Sequence, residues 1–160
     1  TFKPNAKITL NSSSFVGSDT PDTERLMRYF HNFYGIFQFN DKFGLTLGFD
    51  IGAQQKTPKN KNYNVWYSPV LIARYSPTKK INVAARSEFY SDKNQIIIST
   101  KTQTGFQAFG NSLNIDYHFS NNLLWRIEYR NLSSKDAIFQ KKDLFINQNN
   151  LIISSLAIVF

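Results

Sequence analysis

From Leu123 to Arg130 the chain alternates with a strict period of two: Leu123, Trp125, Ile127 and Tyr129 fall on odd positions, with Arg126, Glu128 and Arg130 between them. Successive side chains of a strand point to opposite faces, so this segment has one apolar face and one charged face. Similar alternation recurs through the chain and reaches its last residue, Phe160. Two folds accept it. A soluble barrel turns the apolar face inward, whereas a membrane barrel turns it to lipid and gathers its charges in a lumen.

Eight strand-like segments are predicted. They begin with 6–16, 28–40 and 43–52; in the third, Phe43, Leu45, Leu47, Phe49 and Ile51 oppose Gly44, Thr46, Gly48, Asp50 and Gly52. The fourth, 65–76, contains Pro69, which lacks a ladder N–H and suits an edge or a bulge. The fifth sets Ile81, Val83, Ala85 and Phe89 against Asn82, Ala84, Arg86 and Glu88. The sixth sets Leu113, Ile115, Tyr117 and Phe119 against Ser112, Asn114, Asp116 and His118. The seventh begins at Leu123, and the eighth runs over 149–160 with an unusually apolar second face, Leu151, Ile153, Ser155, Ala157 and Val159.

The connections alternate as well. Residues 40–42, 77–80 and 120–122 are tight turns of Asn, Asp, Ser and Pro, while 17–27, 53–64, 91–110 and 133–148 are long and polar. This is the asymmetry of outer-membrane barrels, with short periplasmic turns and long extracellular loops. The β-prone stretch 95–100 is expected to be a strand projecting beyond the bilayer. An Arg-x-Glu-aromatic pattern at Arg86 to Phe89 and again at Arg126 to Tyr129 points to a repeating hairpin unit.

Composition narrows the function classes. The chain of 160 residues is read as one domain, 1–160, rich in Phe and Tyr and without cysteine, so disulfides and thiolate metal sites are excluded. It opens at Thr1 without an initiator Met or a charged and apolar leader, as expected of a mature or truncated product. The formal net charge is +8, but most lysines fall in the inter-strand segments and none forms a stacking platform with aromatics. The charge reads first as solvated loop charge, then as attraction to anionic headgroups or solutes, and last as nucleic-acid binding.

Four features favour the lipid-out arrangement. The apolar faces of most strands carry no charge. Phe39, Phe43, Tyr75, Tyr117, Phe119 and Phe160 gather near the short turns, as an interfacial belt does. The interior of an eight-stranded barrel is too narrow for so many rings. An aromatic final residue ends an alternating strand. The expected lipid-facing residues are Phe43, Leu45, Leu47, Phe49, Ile81, Val83, Phe89, Leu113, Ile115, Tyr117, Phe119, Trp125, Ile127, Tyr129, Ile158 and Phe160. The expected lumen-lining residues are Lys7, Asp50, Arg74, Arg86, Glu88, Asp116, His118, Arg126, Glu128 and Arg130.

The runs Tyr67-Ser68-Pro69, Ala73-Arg74-Tyr75-Ser76-Pro77, Ala85-Arg86-Ser87-Glu88-Phe89-Tyr90-Ser91-Asp92 and Arg126-Ile127-Glu128-Tyr129-Arg130 resemble the OmpL-like β-barrel porins of Bacteroidetes outer membranes. Tyr117-His118-Phe119 and Leu156-Ala157-Ile158-Val159-Phe160 fit the same pattern. The resemblance is close from Val65 onward and looser over the first sixty residues. Members of that family are typically much longer, so the chain resembles their C-terminal portion, which leaves open whether eight strands close alone or form part of a wider barrel.

Catalysis finds little support. His118 has Asp116 two residues away on its face with Ser112 beyond, a loose arrangement, and His31 falls on the lipid-facing parity. No metal-ligand cluster or cofactor motif is present in the sequence. The expectation is an all-β antiparallel transmembrane up-and-down barrel of at least eight strands in a Gram-negative outer membrane. It would be non-enzymatic and porin-like, passing small polar solutes. Membrane lipid, lipopolysaccharide and other outer-membrane proteins are the expected partners, and nucleic acid is not. The alternatives are a closed eight-stranded structural or interaction protein acting through its loops, and a soluble ligand-binding barrel.

Overall fold

Where apolar and polar residues alternate, the chain forms long strands. The computed structural model describes residues 1–59 and 61–159; the expectation for Phe160 lies outside them. The strands are β1 (Phe2–Asn5), β2 (Ile8–Gly17), β3 (Arg28–Gln38), β4 (Phe43–Gln55), β5 (Tyr63–Tyr75) and β6 (Ile81–Asp92). They continue with β7 (Phe106–Ser120), β8 (Leu123–Ser134), β9 (Phe139–Lys141), β10 (Leu144–Ile146) and β11 (Gln148–Ile158). A 3₁₀ turn spans Asp22–Glu24. No helix among the described residues is long and apolar enough to cross a membrane.

Nine strands form one sheet in the order β1-β2-β3-β4-β5-β6-β7-β8-β11, every neighbour antiparallel; β9 and β10 form a separate hairpin in the last long connection. This is an up-and-down meander whose edges are β1 and β11. The eight expected strands are all present. The short β1 and the β9–β10 hairpin were not foreseen.

The register ties the two faces together across the sheet. Phe43 lies opposite Tyr75, Tyr75 opposite Val83, Val83 opposite Ile115 and Ile115 opposite Ile127. A one-residue slip anywhere would flip every side chain beyond it, so the pattern fixes the register. Pro69 occupies an internal strand after all. It pairs with Phe49 on β4, and the β5–β6 ladder passes from Tyr67 to Val70 without pairing residues 68 and 69, where proline offers no N–H.

Two expectations are corrected. Residues 95–100 form no strand: the Asp92 carboxylate accepts the backbone N–H groups of Ile96, Ile97 and Ile98 at 2.9, 2.7 and 3.0 Å, so these donors are already taken. Lys7 belongs to the exposed turn at residues 6–7 between β1 and β2, because β1 folds back on β2 and the strand expected from about Ala6 starts at Ile8.

Burial is unevenly divided. On the apolar face Leu47 is 46 % exposed, Leu113 47 % and Tyr129 50 %. Of the buried side chains, Trp66, Ala108, Asp92 and Asp116 belong to the opposite face by register, while Ser91, next to the long connection, falls on the apolar parity. Among the described residues nothing covers the broad apolar surface, the reverse of a water-soluble barrel core.

Candidate functional site

The eight long strands contain five arginines (Arg28, Arg74, Arg86, Arg126, Arg130) and five carboxylates (Asp50, Glu88, Asp92, Asp116, Glu128), and no lysine. By register all ten share one face: Arg28 is paired with Gln54, Asp50 with Ser68, Arg74 with Ala84, Arg86 with Ser112 and Asp116 with Arg126. The wall is thus formally neutral, and the +8 excess lies outside these strands, shared between the short-turn and long-loop rims.

Burying charge requires pairing, and the wall supplies it. Arg126 grips Asp116 bidentately, Nε to Oδ1 and Nη2 to Oδ2, both at 2.6 Å, and Asn114 Nδ2 donates to the same carboxylate at 2.8 Å. Glu88 accepts from Arg86 on its own strand and from Arg130 two strands away. Asn32 Nδ2 donates to Asp50 at 2.5 Å. Arg28 Nη1 contacts Asp19 at 2.5 Å, and its guanidinium lies 5.6 Å from the centre of the Trp66 ring.

Three close approaches on this face run past a glycine. Arg130 reaches Glu88 past Gly110 of β7, where a Cβ would come within 2.8 Å of Glu88 Oε1. Arg74 Nη2 reaches Gln38 Oε1 at 2.6 Å past Gly44 of β4, where a Cβ would stand 3.0 Å from that oxygen. Trp66 lies flat over Gly52, where a Cβ would be 1.9 Å from Cζ2. These glycines were not singled out from sequence. Their signal is glycine at inner-parity positions of alternating strands, but its meaning depends on neighbours distant in the chain.

The expected lumen set is accounted for as follows. Asp50, Arg74, Arg86, Glu88, Asp116, His118, Arg126, Glu128 and Arg130 share the charged face, and Lys7 is in the turn. His118 Nε2 and Asn82 Nδ2 are 3.1 Å apart, while Asp116 is taken by Arg126 and Asn114, so the imidazole is not oriented by that carboxylate. His31 is on the apolar face, where its Nδ1 meets Ser14 Oγ at 2.8 Å. Among the described residues no group of His, Cys, Asp or Glu could hold a metal ion.

On the apolar face the register aligns Phe43, Leu45, Leu47, Phe49, Ile81, Val83, Phe89, Leu113, Ile115, Tyr117, Trp125, Ile127, Tyr129 and Ile158. Phe119 falls at a ladder irregularity, its ring 4.9 Å from that of Tyr117. Near the short turns Phe43 stacks on Tyr75 at 4.6 Å. A second aromatic row, not expected from sequence, lies towards the long loops: Tyr29 against Tyr63 at 5.8 Å and Tyr67 against Phe89 at 6.1 Å. The stretch of β4 from Phe43 to Ala53, roughly 33 Å of extended strand, separates the two rows.

Compared with known proteins, residues 1–160 match the family described as "Putative beta-barrel porin-2, OmpL-like", so the likeness extends through the first sixty residues as well. No curated protein and no solved structure matches the chain.

Proposed function

The chain belongs to the OmpL-like β-barrel porin family, and from that premise we propose that it forms the wall of an outer-membrane channel through which small polar solutes diffuse along its charged face. Membership implies an outer-membrane location of the porin kind. The observation that carries the channel reading is the segregation itself. All ten charged groups of the long strands occupy one face, while the other carries no Asp, Glu, Lys or Arg and is mostly apolar between two aromatic rows, which the strand tilt usual in membrane barrels would set about 25 Å apart. Charges facing lipid would cost about 2–4 kcal/mol each near the midplane, so this face turns to a wetted interior. The unpaired outer edges of β1 and β11 offer the backbone groups on which the ring of strands is completed.

Partners follow from the rims. The long connections carry Arg25, Lys56, Lys59, Lys61, Lys93, Lys101, Lys135, Lys141 and Lys142 against five carboxylates, an excess suited to lipopolysaccharide phosphates. The apolar face is the proposed surface for membrane lipid, and no catalytic step is assigned. The test is reconstitution of the folded chain in planar bilayers. Discrete ohmic conductance steps are expected, and a correctly inserted protein that carries no current would favour the closed structural reading.

A further inference from the structure

The connection between β6 and β7, residues 93–105, does not extend away from the sheet. Asp92 ends β6 on the charged face, its side chain fully buried, and its carboxylate draws the backbone of Ile96, Ile97 and Ile98 back against it. Gln95 Oε1 fixes the returning limb by accepting from the N–H groups of Thr100 and Lys101 at 2.9 and 2.8 Å. Thr104 Oγ1 donates to Asp136, tying the segment to the neighbouring long connection. Ile98 then lines a cavity of about 240 Å³ together with Glu88, Tyr90, Phe106, Arg130 and Leu132, all wall residues of the charged face. It stays 37 % exposed.

We infer that residues 93–105 form an internal constriction of the channel, anchored by Asp92, with Ile98 as the side chain that narrows the path beside the Glu88–Arg130 ion pair. The inference rests on the channel reading above and adds the place where size selection occurs. A carboxylate that accepts three successive backbone N–H groups can hold a short segment in a fixed turn without any strand partner. The segment is therefore held inward by the protein itself. A solute passing here meets an aliphatic side chain on one side and a guanidinium–carboxylate pair on the other, an arrangement that selects small solutes with one polar edge.

The chain contains no cysteine, so Ile98→Cys in the full chain carries a unique thiol. The experiment records planar-bilayer current before and after a bulky cationic methanethiosulfonate reagent, with Thr23→Cys as a control in another long connection. Modification at position 98 is expected to lower single-channel conductance by about twofold or more, and modification at position 23 to leave it unchanged. Asp92→Ala, which frees the segment, is expected to raise the conductance. If the thiol at 98 is modified, as verified by mass, without changing the current, or cannot be modified in a conducting channel, the constriction is overturned. A folded wild-type chain that never conducts would instead remove the channel reading, and the constriction with it.

Discussion

Arg130 of β8 and Glu88 of β6 are joined across the strand that separates them, and the contact passes Gly110 of β7, the position paired with Glu88 in the ladder. Arg86 shares the same carboxylate, so one acid serves two guanidiniums. Glu88→Gln keeps the shape and removes the charge. It should destabilise the folded protein by about 1–3 kcal/mol, because charge-assisted hydrogen bonds are lost from partly buried groups. Urea unfolding in lipid vesicles followed by tryptophan emission measures this; an unchanged midpoint would show that the ladder contributes little.

Gly52 and Trp66 make a second test. The indole occupies the space where a Cβ would stand, so Gly52→Ala must push Trp66 off the wall and away from Arg28. Overpacking of this kind costs about 1–3 kcal/mol. The emission of the variant should shift to the red as Trp66 leaves its buried position. A spectrum identical to wild type would contradict the close approach.

The long strands were legible because β4, β6, β7 and β8 carry a sustained period of two, and β2, β3, β5 and β11, less regular, are ten or more residues of strand-prone composition bounded by polar turns. The four residues of β1 and the three of β9 and of β10 are too short to show a period. The isoleucines at 96–98 read as a strand by composition, yet Asp92 and Gln95 supply acceptors that compete with any ladder. The charged set on one face was readable from parity. Its pairing partners were not, since Arg130 meets Glu88 only after β7 has been placed between them.

Asp136 gives a pH test outside the spanning strands. Hydrogen bonds from Thr104 and Thr102 hold its carboxyl below the ordinary carboxylate range, with Lys135 adding to the effect. A lowered folded-state value means that the stabilisation is present above the ordinary value of about 4 and is lost as pH falls through the lowered value. Hydrogen exchange at residues 102–107 should therefore speed up on acidification below about pH 4, after allowance for intrinsic rates. Asp136→Asn should exchange quickly at all pH values, and identical profiles for the two proteins would contradict the tether.

Ion preference should come from the mouths. The wall is formally neutral, whereas both rims are basic. Reversal potentials in KCl gradients should show anion preference at about 0.01 M, where the screening length is ~30 Å, and almost none at about 1 M, where it is ~3 Å. A preference independent of salt would place selectivity in the wall instead.

The most direct test of the central claim is a cysteine scan of β8 from Leu123 to Arg130, in a chain otherwise free of cysteine, after insertion into lipid vesicles. A membrane-impermeant, water-soluble thiol reagent should label positions 126, 128 and 130 and spare 125, 127 and 129, since only one face is wetted. Labelling of the odd positions with protection of the even ones would reverse the two faces and contradict the account.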